Sequence, residues 1–135
     1  MEIILDADVI ISGEKNIFDL PAWLASRAED RFEVAAITIA ELRHGIERAS
    51  GAHRARRQKY LEALVAALPI IAYTEETAYH HARLWSDLET SGKIIAAYDL
   101  IVAATALERG STLATFNRRH VSQVKGLTIL EPKRT

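Results

Sequence analysis

Short apolar runs rich in β-branched residues alternate along this chain with longer segments whose apolar residues recur at helical spacing. That alternation restricts the possible folds more than any other feature. A strand that is apolar along its length needs cover on both faces, as in a parallel sheet, and parallel neighbours are joined by crossovers that are usually helical. Glu2-Ile3-Ile4-Leu5 is the first such run, and Asp6 bounds it. A turn is expected at Ser12-Gly13, followed by a helix from Ile17 to Ala28 that carries Phe18, Trp23 and Leu24, with Pro21 acceptable only in its first turn. Phe32 to Ile37 reads as the second strand. Thr38 then opens a helix bearing Ile39, Leu42 and Ile46, interrupted near Ser50-Gly51. A basic helix follows from about His53 to Leu68, with Tyr60, Leu61, Leu64, Val65 and Leu68 on its apolar face. Pro69 to Ala72 is a third short strand, Thr74 caps a helix to about Leu88, and Asp99 starts another that Gly110 ends. Thr112 to Thr115 and Thr128 to Leu130 complete the strands. The expected fold is a three-layer α/β/α sandwich with a mainly parallel central sheet, and 135 residues suit one domain over 1–135.

Such a sheet gathers reactive groups beyond the carboxyl ends of its strands. Asp6 and Thr115 fall at strand ends, and Glu41 and Asp99 fall in first helical turns, so all four can meet on one rim. Each acid has a local alternative. Asp6 could bond its own backbone in a turn. Thr38-Ile39-Ala40-Glu41 has the form of a capping box, which would use Glu41 on the Thr38 N–H. Asp99 could cap its helix or complement the dipole. Taken together, three carboxylates on one rim repel and raise one another's pKa unless a cation offsets them. The chain has no cysteine, which removes disulfides, thiolate zinc sites and a thiol nucleophile. Oxygen ligands favour a hard ion, Mg²⁺ or Mn²⁺. His80 and His81 are adjacent on a helix, so they point about 100° apart and do not suit one metal.

"IILDADVII", "AAITIAELRHGI", "AAYDLIVAATALERGSTLATFN" and "VKGLTILEP" follow one another in an order and spacing that resemble the PIN domains, above all the VapC and FitB toxins. The resemblance spans almost the whole chain. It implies a magnesium- or manganese-dependent endoribonuclease, the toxin component of a type II toxin–antitoxin pair. It also implies a homodimer, and a cognate VapB-like antitoxin encoded beside it with which a heterotetramer or larger assembly forms. The acidic positions it implies are Asp6, Glu41 and Asp99, as catalytic residues and as metal ligands. Asp8 departs from the pattern, because Asn, Ser or Thr is usual there, and it is expected at the site's edge as a supporting or substrate-binding residue, as is Arg118. In Thr115-Phe116-Asn117-Arg118-Arg119-His120, histidine stands where a fourth acid is common. Such a site holds one metal firmly and a second weakly, with Thr115 and Asn117 as neutral oxygen donors to hydrated metal or phosphate.

The implied chemistry is phosphodiester hydrolysis by in-line attack of water, with the cation polarising the phosphoryl group. The family leaves 5′-phosphate and 3′-hydroxyl ends. No 2′-hydroxyl nucleophile is required, so preference for RNA must come from shape and binding. Two rival readings compete. "IILDADVI" also fits the haloacid-dehalogenase-type phosphatases, with Asp6 as nucleophile and Asp8 as acid/base, although no later Gly-Asp-x-x-x-Asp motif follows. The second is a catalytically silent PIN-like module that only binds a partner.

Formal net charge is −1, so RNA must be held by local patches. Arg118, Arg119 and His120 lie next to the expected site, whereas Arg48, His53, Arg54, Arg56, Arg57 and Lys59 read first as a solvated helix face. Phe18, Trp23, Leu24, Ile46, Tyr60 and Leu64 are the expected lining of a groove for the antitoxin's C-terminal segment, unless core packing absorbs them. No stretch approaches a membrane span or a secretory leader, which makes the cytoplasm the expected location.

Overall fold

The apolar runs pair side by side in one direction. The structure, a computed structural model, describes residues 1–133. Its strands are β1 (Glu2–Leu5), β2 (Arg31–Ala35), β3 (Ile70–Ile71), β4 (Thr112–Ala114) and β5 (Thr128–Leu130). Its helices are α1 (Ala7–Glu14), α2 (Leu20–Ser26), α3 (Ala36–Arg48), α4 (Gly51–Ala67), α5 (Glu75–Thr90), α6 (Ala97–Arg109) and α7 (Arg118–Val121). All four strand pairs are parallel, and the spatial order is β3-β2-β1-β4-β5. The chain therefore winds outward from β1 to β3, then returns to the other side of β1 for β4 and β5. This reversal makes the β1/β4 boundary the topological switch point, where a crevice opens beyond the strand ends.

Alternation of side chains across the pleat sorts the core into two faces. Ile3, Leu5, Val34 and Ala114 pack with Val9, Ile10, Phe18, Leu20, Ile46, Leu61 and Leu64 from α1 to α4. Ile4, Ala35, Ile71 and Leu113 pack on the opposite side with Val102 and Ala106 of α6 and Val121 of α7. Ile3, Ile4 and Leu5 are wholly buried. Each such side chain contributes roughly 1.5–3 kcal/mol of burial, which is why β1 must be apolar on both faces.

The structure departs from the sequence reading at several boundaries. The turn expected at Ser12-Gly13 falls inside a helix, α1, which begins directly after Asp6. Its run of Val9, Ile10 and Ile11 has strand character, but Asp6 caps the helix and tertiary packing completes it. Gly13 lies in its last turn because a Cβ there would fall 2.8 Å from the Leu20 Cβ and 3.0 Å from the Tyr60 Oη. The helix expected from Ile17 is confined to Leu20–Ser26, N-capped by Asp19, whose side chain accepts from the Ala22 N–H at 3.1 Å. Strand β2 ends at Ala35, and α3 starts two residues before Thr38. The expected capping box is consequently absent: α3 has no side-chain cap, and Thr38 is buried within its first turn. Helix α6 starts at Ala97, so Asp99 lies inside the first turn and does not cap it. Thr74 does cap α5, with Thr77 completing the reciprocal bonds. Gly110 ends α6 at φ +65°, a conformation that only glycine adopts cheaply.

Candidate functional site

The crevice at the switch point is lined by four carboxylates and a threonine. Asp6 follows β1 directly, and its N–H donates to the Ala114 carbonyl at 2.9 Å, which fastens it beside the end of β4. Its Oδ1 accepts from the Ala7 N–H at 2.8 Å, and its Oδ2 accepts from the Thr115 hydroxyl at 2.9 Å. The turn-type alternative for Asp6 is thus realised on one oxygen only. Burial, and after it the Asp8 charge, pushes the Asp6 carboxyl up to about 6, although Thr115 and Ala7 pull the other way.

Asp8, in the first turn of α1, accepts from the Phe116 N–H at 3.1 Å. Burial raises its carboxyl above the usual range. Thr115 is fully buried, and its Oγ1 also accepts from the Asn117 N–H at 3.0 Å. Glu41 projects from α3, and its Oε1 is buried without a hydrogen-bond partner. Burial, then the charges of Asp6, Asp99 and Asp8, drives the Glu41 carboxyl up to about 7. Asp99 enters from α6 and is also raised by burial, which a nearby His120 charge opposes. The His120 Nε2 is 3.9 Å from the Asp99 Oδ2 and 3.5 Å from the Ala96 N–H, which it can accept.

Asp6, Asp8, Glu41, Asp99 and Thr115 thus converge, and His120 stands against Asp99 from α7. Asn117 reaches the cluster through its backbone, as the N-cap residue of α7 without a side-chain cap bond. Arg118 does not join it, since its Nη2 turns to the Ile129 carbonyl at 3.4 Å. His80 and His81 share no partner: His80 faces Glu76, while His81 bonds Tyr73 and stacks on Trp85. In the basic segment, Arg54 pairs with Glu47, Arg56 with His53, and Arg57 with Glu14 and the Gly45 carbonyl.

The donors suit a hard divalent cation. They are oxygens, one of them orphaned in a buried setting, and they raise one another's pKa in the manner a cation reverses. Among the described residues no three carboxylates or imidazoles are yet drawn into a closed ligand set.

A groove of about 210 Å³ lies between α1, α3 and α4, and Glu41 forms one end of it. Ile10, Ile11, Leu42, Ile46 and Leu61 supply its apolar wall, with Lys15 and Arg57 on the rim. This corrects the lining expected from sequence. Phe18 and Leu64 are core residues, while Trp23 and Leu24 pack against that core away from the groove; Ile46 is buried in the core and also lines the groove, as expected. Tyr60 does line it, and its hydroxyl donates to the Ile10 carbonyl at 3.4 Å. Ile10, Ile11, Leu42 and Leu61 were not in the expected lining; recognising α1 as a helix would have brought the first two forward. Among the described residues no helix is long and apolar enough to cross a membrane.

Known proteins resemble this chain along nearly its whole length. The chain is 33% identical over 138 aligned positions to a VapC ribonuclease of Sinorhizobium fredii, with 96% of each chain covered. It is 27% identical over 131 residues to ribonuclease VapC1 of Rickettsia felis, again with 96% of each covered. The structure of VapBC-1 from nontypeable Haemophilus influenzae superposes with a TM-score of 0.84 at 25% identity, covering 97% of this chain and 98% of that one. The Asp-x-Asp-x-Val likeness to phosphatases is local by comparison, and the same residues fall within a family-wide match. That match is to the PIN domain and extends over residues 3–127, so the chain belongs to the PIN-domain family.

Proposed function

We propose that this protein is a metal-dependent endoribonuclease, the toxin component of a type II toxin–antitoxin pair, that hydrolyses RNA phosphodiester bonds using Mg²⁺ or Mn²⁺. The observation that carries the reading is Glu41: a carboxylate oxygen buried without a partner, facing Asp6, Asp8 and Asp99. Such a group is costly unless something positive is meant to sit beside it.

Asp6, Glu41 and Asp99 would hold the ion, with Thr115 and Asn117 as neutral oxygens at its edge. Bound there, a divalent cation supplies charge neutralisation, polarises a scissile phosphoryl group and makes adjacent water more acidic. The protein's own contribution is placement. The Ala7 N–H and the Thr115 hydroxyl fix both Asp6 oxygens, so this carboxylate enters the crevice in one orientation. The positive charge of His120, when it is protonated, restrains Asp99 from the α7 side. Arg119, on the exposed face of α7, is placed to attract the RNA backbone, whereas Arg118 is committed to β5.

The relatives carry the names of VapC ribonucleases, and the superposed Haemophilus structure carries the name VapBC-1. By the same reading, this chain's partner is a cognate VapB-like antitoxin. An amphipathic segment would lay apolar side chains against Ile10, Ile11 and Leu42, and a basic side chain could reach Glu41 at the end of the groove. Homodimer formation, larger assembly with the antitoxin and a cytoplasmic location belong to the same proposal.

The test joins cleavage to binding. Chelated protein should not cut RNA, added Mn²⁺ should restore cutting, and saturating Mn²⁺ should raise the melting temperature. Full cleavage after rigorous metal removal would overturn the mechanism.

A further inference from the structure

Asp8 is neither one of the three acids assigned above nor a plain surface residue, and its surroundings are short of hydrogen. The Thr115 Oγ1 lies 2.9 Å from the Asp6 Oδ2 and 3.3 and 3.5 Å from the two Asp8 oxygens. A hydroxyl has one hydrogen to give. The shortest contact takes it to Asp6, and the Asn117 N–H already occupies one Thr115 lone pair. Asp8, at 3.3 Å, is left at most a lesser share of that one hydrogen. The donors left to Asp8 are backbone N–H groups, Phe116 at 3.1 Å and its neighbour Val9. Two carboxylates thus lean on a single hydroxyl, within a few residues of the same β1 end.

An anionic Asp8 is not needed to hold the 115–117 turn. The Phe116 N–H requires only an acceptor, which a neutral amide oxygen provides equally well. The charge needs another account. From this geometry we infer that Asp8 is a fourth, cation-facing carboxylate of the site, one that tightens the hold on the ion beyond what Asp6, Glu41 and Asp99 achieve. This rests on the reading of the site as a metal site.

The test measures ion binding without reference to cleavage. Metal-stripped wild type, Asp8→Asn, Asp8→Ala and Asp99→Asn are titrated with Mn²⁺, and free ion is followed by its paramagnetic resonance signal. Asn at position 8 keeps an acceptor for the Phe116 N–H and removes only the charge. Asp8→Asn should bind Mn²⁺ about 10-fold more weakly or worse, the range seen when groups around a metal are altered. Its melting temperature without metal should not fall. Asp8→Ala loses both acceptor and charge, and should lose affinity to a similar degree while also melting earlier. If Asp8→Asn binds Mn²⁺ within two-fold of wild type, Asp8 is only a clip for the turn and the inference is wrong. If Asp99→Asn also binds like wild type, the metal-site reading itself has failed, which is a separate result.

Discussion

Replacing Glu41 by Gln tests whether this site is built to be incomplete without a cation. The carboxyl is pushed from its ordinary 4.5 up to about 7, by burial first and then by Asp6, Asp99 and Asp8. Because the folded value lies above the unfolded one, the ionised form costs stability at high pH, and the cost disappears as pH falls towards 4.5. At about 1.36 kcal/mol per pKa unit the cost at pH 8 has a ceiling of roughly 3 kcal/mol. Glu41 is only partly buried, and solvent screens part of the repulsion, so about 1–2 kcal/mol is the working figure. With an unfolding entropy of about 2.1 cal/mol/K per residue, a chain of this size should gain about 4–7 °C on removing that charge. The assay is thermal denaturation of metal-free wild type and Glu41→Gln at pH 8 and pH 5, with and without Mn²⁺. The variant should melt higher at pH 8, the gap should narrow to about a quarter at pH 5, and Mn²⁺ should stabilise wild type more than the variant. A variant that melts at or below wild type at pH 8, or a gap as wide at pH 5 as at pH 8, refutes the account of Glu41 as a charge held against its neighbours.

Metal-free wild type should itself melt higher at pH 5 than at pH 8, because Asp6 and Glu41 take up protons near 6 and 7; a flat or opposite trend measured by calorimetry counts against the coupled cluster. Asp6→Asn and Asp99→Asn should each reduce RNA cleavage about 100-fold or more while native circular dichroism is retained, as for loss of a principal electrostatic group; wild-type cleavage by either variant removes that residue from the site. Ile11→Asp, on the exposed edge of the groove, should weaken capture of the antitoxin at least 10-fold and spare cleavage by the free protein. Gly13→Ala adds a Cβ 2.8 Å from Leu20, an overpacking cost of about 1–3 kcal/mol against less than about 1 kcal/mol of helix propensity gained. A rise in denaturation midpoint would mean that α1 and α2 separate easily.

Much of this protein follows from the linear sequence. Short β-branched runs set between helical periods specify the parallel sheet, because such runs need cover on both faces and parallel neighbours need long crossovers. Asp6 at the end of the first run and Thr115 at the end of the fourth are legible as site residues, since strand ends in such sheets open onto the crevice. Three questions waited on the tertiary structure. The span from Ala7 to Glu14, where only a turn at Ser12-Gly13 was expected, is helical, because Asp6 caps it and the close approach to Leu20 at Gly13 packs it. Whether Glu41 capped its own helix depended on where α3 begins; the start at Ala36 leaves its carboxylate free for the crevice. The position of Asp8 against Thr115, and of His120 against Asp99, joins residues about a hundred positions apart in one case and about twenty in the other. Local sequence constrains the backbone within a few residues of itself, so it marks where an acid leaves a strand or enters a helix. Which acids then share one hydroxyl, or one unscreened field, is decided only when the crossovers bring α1, α3 and α6 to the same end of β1 and β4.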